Sequence, residues 1–150
     1  MSLEQKVMAE MKDAMKSKNE GTLRALRGIK AEIIKARTEP GAAGEVSAEK
    51  EVSLLQKMMK QRKDSLEIYQ QQNRQDLAKK EIEEISVIER FLPQQLTGAE
   101  LKAELERIIS DTGAASAADM GKVMGAATKK LAGRADGKTI SAMVKELLAK

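Results

Sequence analysis

Only two prolines, Pro40 and Pro93, interrupt 150 residues, and around them aliphatic side chains recur every three or four positions. Few backbone breakers with that period commit a chain to helices, because a strand would need alternation every second residue. Leu3, Val7, Met8, Met11, Ala14 and Met15 mark a first helix ending near residues 17–21. Leu23, Leu26, Ile29, Ile33 and Ile34 mark a second reaching about Arg37, and so short a turn predicts an antiparallel helical hairpin. Pro40-Gly41 followed by Gly44 predicts a mobile loop near 38–47. Ser47 is the expected N-cap of a third helix of about 25 residues bearing Val52, Leu55, Met58, Met59, Leu66 and Tyr69, with Asn73 as a left-handed terminator. A fourth helix starts near Gln75, uses Leu77, Ile82, Ile85, Ile88 and Leu92, and stops at Pro93.

Beyond Pro93 the texture changes. Residues 94–98 read as a linker, Thr97 as a cap with Glu100 at capping-box spacing, and Leu101, Leu105, Ile108 and Ile109 as one apolar stripe. Small residues follow. Ser116 is expected to cap a helix with Asp119 in its first turn, Gly133 to mark its end, 135–137 to form a turn, and Thr139 to cap a last helix over 140–148. Gly121 and Gly125 fit close helix packing better than a phosphate loop, since no strand precedes them. The expected architecture is all-α: a long-helix hairpin or bundle region of about four helices over 1–93, and a small three-helix domain over 97–150.

Composition restricts the chemistry. There is no His, Cys or Trp, one Phe91 and one Tyr69. That excludes a Ser-His-Asp triad, a thiol nucleophile, a thiolate–imidazole zinc site and disulfides. Asp64 with Glu67, and Glu81 with Glu84, each place two carboxylates on one helical face. Ion pairs with Lys63, Lys80 and Arg90 are the plain alternative to acid–base work. No catalytic residue, metal or cofactor is assigned. Nine methionines fall mostly on the apolar stripes, which suits core filling in a chain poor in aromatics; a Met-rich groove for partner helices is the alternative. The start lacks an apolar signal core and no apolar run approaches the roughly 20 residues that span a bilayer, so a cytoplasmic, non-membrane protein is expected.

Net charge is +4, unevenly placed. From Met120 to Lys150, seven basic residues (Lys122, Lys129, Lys130, Arg134, Lys138, Lys145, Lys150) face only Asp136 and Glu146. From Gln56 to Lys80, seven face Asp64, Glu67 and Asp76. Lys129, Lys130, Arg134 and Lys138 surround a helix end and a glycine turn, so cations and free backbone N–H groups are expected together, the equipment for gripping phosphates. A merely solvated basic helix is the alternative. Aromatic platforms for stacking single strands are missing, so a folded nucleic acid held by backbone and shape is favoured.

Several motifs carry a resemblance: Arg62-Lys-Asp-Ser-Leu-Glu-Ile-Tyr69, Asn73-Arg-Gln-Asp-Leu-Ala78, Glu81 with Glu84, and Phe91-Leu-Pro-Gln-Gln-Leu96. Met120-Gly-Lys-Val-Met124, Gly133-Arg-Ala-Asp-Gly-Lys138, Ile140 and Val144-Lys-Glu-Leu-Leu148 continue it. In this ordered combination the chain resembles the YqeY family over essentially its whole length. The resemblance implies kinship with the C-terminal tail of the B subunit of the tRNA-dependent amidotransferase, which helps hold tRNA, and with modules appended to some glutaminyl-tRNA synthetases. It implies an RNA contact region of Gly121, Lys122, Met124, Gly133 and Lys138 with their neighbours. Beyond the resemblance, Arg62 and Arg74 are read from their charge as a second contact or interdomain tether. It transfers no catalysis, so a carbon–nitrogen ligase activity with glutamine as amide donor would describe relatives. The family usually has a glycine where this chain has Asn73, and Asn tolerates the left-handed conformation next best. The expected function is therefore a non-catalytic module gripping tRNA or another structured RNA. The alternative is a helical adaptor docking on an aminoacyl-tRNA synthetase or amidotransferase.

Overall fold

The structure, a computed structural model, describes residues 1–149; Lys150, counted above in the basic run, lies outside the described residues. Among the described residues the chain is all-α: α1 (Leu3–Lys16), α2 (Glu20–Arg37), α3 (Ala48–Gln71), α4 (Gln75–Phe91), α5 (Gly98–Thr112), a 3-10 turn (Ala117–Asp119), α6 (Met120–Lys130) and α7 (Gly137–Leu148). They form two compact units, Met1–Leu92 and Pro93–Lys150.

In the first unit, capping chemistry sets the helix starts. Ser2 and Gln5 form a reciprocal capping box on α1, Asn19 accepts from the Thr22 N–H on α2, and Ser47 accepts from the Lys50 N–H on α3. The helices break where the backbone turns left-handed, at Lys18 (φ 56°) and Asn73 (φ 56°). Between α2 and α3, left-handed Gly41, Ala43 and Gly44 wind the loop, and Lys50 pairs with Glu39 at 3.3 Å.

The core gathers Val7, Leu26, Ile29, Leu55, Met58, Met59 and Ile88. α1 packs on α2, α2 on α4, and α4 on α3. Gly21 is not a turn residue, as its place near the hairpin suggested. It lies inside α2, where an added Cβ would stand 2.6 Å from a Glu83 carboxylate oxygen on α4.

Two stripes depart from expectation. Ile82 is exposed and Glu81 beside it is buried, because α4 turns Glu81 toward Arg62 of α3, at 3.2 Å. Met8, Met15 and Ile34 are also exposed rather than filling the core.

The second unit has its own core of Leu101, Leu105, Ile108, Val123, Ala127, Leu131, Ile140, Val144 and Leu148. Thr97 and Glu100 make the expected capping box, and Gly113 (φ 70°) ends α5. The 3-10 turn precedes α6, and Asp119 accepts from the Ala115 and Ser116 N–H groups at 2.9 and 3.4 Å.

The segment after Pro93 is no free linker. Leu96 N–H donates to the Arg134 carbonyl (2.9 Å), Gln95 Nε2 to the Gly133 carbonyl (2.6 Å), and Arg134 Nε to the Gln94 carbonyl (3.2 Å). Nor does Thr139 cap α7. Asp136 does, accepting from the Thr139 N–H (2.7 Å) and its hydroxyl (2.9 Å). In the run Asp136-Gly-Lys-Thr139 both ends are cap-forming residue types, and the carboxylate's reach to the third N–H places the start at Gly137.

Candidate nucleic-acid interface

The residues singled out from charge and resemblance fall on three kinds of ground in the second unit. The first is the outward face of α6. Val123, Ala127 and Leu131 are buried at helical spacing, so Gly121, Gly125, Thr128, Lys122 and Lys129 are turned to the other side, all exposed. An added Cβ at Gly121 or Gly125 would meet nothing within 4 Å. Close helix packing, the reason expected for these glycines, is therefore wrong: neither touches a neighbour within the unit. They leave a strip of bare helix backbone with a lysine beside each end.

The second ground is the turn from α6 to α7, and here the sequence expectation changes most. Gly133 is buried and left-handed (φ 78°), and its carbonyl is taken by Gln95, so it shapes the turn instead of offering a surface. Arg134 is half-buried, its guanidinium tied to the Gln94 carbonyl. The expected cradle of free N–H groups at the start of α7 is partly filled by the chain's own Asp136 carboxylate. An anion approaching there would meet a like charge at the N-terminus it was meant to find open.

The third ground is scattered. Met124 is half-buried and packs on the second core. Lys130 is exposed about 100° around α6 from Lys129. Lys138 is exposed on α7 and shares its outward stripe with Lys145, seven residues on, opposite Ile140, Val144 and Leu148. Lys129 and Lys130, in the last turn of α6, also complement its dipole.

Sequence reasoning did not place Gly125 or Thr128 in the site. The signal was available as a four-residue period of bare and basic positions, Gly121, Gly125 and Lys129, alternating with the apolar period 123, 127, 131.

The two arginines singled out in the first unit, Arg62 and Arg74, are engaged there. Arg62 reaches Glu81 at 3.2 Å and Glu84 at 3.3 Å, both on α4. Arg24 of α2 reaches Glu84 at 3.5 Å and Glu83 at 3.3 Å. This chain of alternating charge ties three helices and uses the Glu81/Glu84 pair; its partners are Arg62 and Arg24, not the expected Lys63, Lys80 or Arg90. Arg90 pairs with Glu10 instead. Arg74 folds back on Asp76 through two hydrogen bonds of 3.2 and 3.1 Å, which raise the arginine's pKa and hold the aspartate's below its usual range.

Fold and surface thus define an all-helical, two-unit protein, with a helix-bundle unit braced by ion pairs and a small unit presenting a glycine–lysine helix face. By sequence comparison the chain belongs to the YqeY family: the family profile described as Yqey-like protein matches residues 4–148. It is 31% identical over 151 aligned residues to "Altered inheritance of mitochondria protein 41, mitochondrial" of Pyrenophora tritici-repentis (strain Pt-1C-BFP), covering 95% of this chain and 79% of that protein. Among the described residues no helix is long and apolar enough to cross a membrane.

Proposed function

We propose that the chain is a non-catalytic accessory module that grips structured RNA, tRNA foremost, through the outward face of α6, as the tail of the amidotransferase B subunit suggested by resemblance would. One observation carries the reading: Gly121 and Gly125 stand open on the same face as Lys122 and Lys129. A glycine inside a helix costs about 1 kcal/mol relative to alanine. Where no neighbour within the unit requires the missing Cβ, a ligand that must come close to the backbone supplies the reason. A sugar–phosphate chain fits, since bare backbone admits it and the lysines neutralise it. Lys138 and Lys145 on α7 add cationic surface. The capped start of α7 and the tied guanidinium of Arg134 are left out of the contact and position the turn. The cytoplasm is the compartment this reading expects for the chain; the name of the relative places that relative in mitochondria.

The test is titration of the purified chain with bulk tRNA at several salt concentrations, with duplex DNA as competitor. The reading expects affinity that falls steeply with salt and a preference for tRNA that DNA does not erase. Lys122→Glu with Lys129→Glu should abolish it while helical content is unchanged. Equal competition by DNA, or undiminished binding by the double variant, would overturn the assignment.

A further inference from the structure

The first unit carries a surface that the RNA reading leaves unused. On α1, Glu4, Met8, Met11 and Met15 form one stripe at helical spacing; on α2, Leu23, Arg27, Lys30, Ile34 and Arg37 form another. The Glu4–Arg37 ion pair makes these stripes neighbours. The opposite flank of each helix is already occupied: Glu10 of α1 pairs with Arg90 of α4, and Arg24 of α2 pairs with Glu83 and Glu84 of α4. The two stripes therefore border the outer seam of the hairpin, away from α4. Apolar side chains stand open there: Met8 is 45% exposed, Met15 53% and Ile34 45%.

We propose that this outer seam is a docking groove for an acidic amphipathic helix of a protein partner. Two antiparallel helices leave a groove that a third helix fills by ridge-into-groove packing. Methionine is the side chain best able to adapt to such a partner.

Charge selects the occupant. Beyond the Glu4–Arg37 pair, Lys12, Arg27 and Lys30 flank the seam against Glu20 alone. A second copy of this chain would bring the same cations to the groove and repel it. A lipid surface is disfavoured because neither stripe has an aromatic anchor of the kind that seats interfacial helices. The surface belongs to the first unit and does not depend on the RNA reading.

The experiment uses the whole chain labelled with carbon-13 at its methionine methyls, titrated with a synthetic helical peptide of about four turns. Leucines line one face of the peptide and glutamates flank them. The expected result is chemical-shift change at Met8, Met11 and Met15, with Met58, Met59 and the methionines of the second unit unmoved. Met8→Gln with Ile34→Gln should weaken binding by about tenfold or more, as should Arg27→Glu with Lys30→Glu. Met8, Arg27 and Ile34 are exposed and Lys30 is half-buried, so unchanged circular dichroism and melting are required to verify the fold.

Four results would overturn the proposal: no shift at the seam, equal shifts with a lysine-flanked peptide, seam methyls already covered in a dimer of the chain, or displacement of the peptide by anionic vesicles or tRNA.

Discussion

Gly125 is a position where stability and binding should pull apart. It sits within α6 with open space where a Cβ would stand, so Gly125→Ala should stabilise the second unit by about 1 kcal/mol. If backbone approach is what the face is for, the same variant should bind tRNA more weakly although no charge has changed. Thermal denaturation and the tRNA titration, run on one preparation, check both halves, and a stabilised variant with full affinity would remove the glycine from the RNA contact. Asp119, in the 3-10 turn just before α6, offers a pH test at the start of that helix. Hydrogen bonds from the Ala115 and Ser116 N–H groups hold its carboxylate below the usual aspartate range. A group with a lowered folded pKa contributes stability that is complete above its unfolded value, about 3.9, and is lost as pH falls through the folded one. Acid should therefore loosen the start of α6 below roughly pH 4, and Asp119→Asn should blunt that loss; amide exchange at 115–122 reads it out. At this scale the lysines were legible in the sequence because charge is composition. The free face of Gly121 and Gly125 was not, because period alone does not say which side of a small-residue helix is covered.

The ion-pair chain makes the three helices of the first unit depend on one another. Glu81 is only 7% exposed, and Arg62 is its partner across α3 and α4. Removing one member of such a pair leaves a charge in a place built for two, which costs more than the pair itself contributes. Arg62→Ala should thus destabilise the first unit by about 2 kcal/mol, discounted for the guanidinium's partial exposure. Arg62→Met with Glu81→Met should cost less than the single change, and urea denaturation of the three variants decides; a double variant worse than the single one would contradict the account. Element boundaries followed from capping residues wherever a single candidate stood at the right distance, as with Ser47, Asn73 and Thr97. They slipped where two candidates competed, at Asp136 and Thr139. The Glu81–Ile82 inversion was hidden for another reason: a buried carboxylate is stable only because an arginine nineteen positions earlier comes to meet it, and no local pattern reports that meeting.

At the scale of the whole molecule, the two cores share no buried residue: members from Leu3 to Ile88 form one cluster and members from Leu101 to Leu148 another. The change in texture after Pro93 hinted at this, since long aliphatic stripes give way to short helices rich in Ala and Gly. What it could not show was that residues 94–96 belong to the second unit, because their hydrogen bonds go to residues near 133, some forty positions along the chain. Separate cores predict separate cooperativity, and a chain of this kind should not obey a two-state description. Ile29→Val and Ile108→Val each delete one methylene from a side chain that is at most 2% exposed, and each should cost about 1 kcal/mol. Each loss should lower only its own unit's transition, and the double variant should be additive within about 0.5 kcal/mol. Amide exchange resolved by residue during urea unfolding makes the measurement. If Ile108→Val destabilised residues near Ile29 as much as those near Leu105, the units would be one cooperative body, and the proposed RNA face and the proposed methionine seam would then be coupled instead of independent.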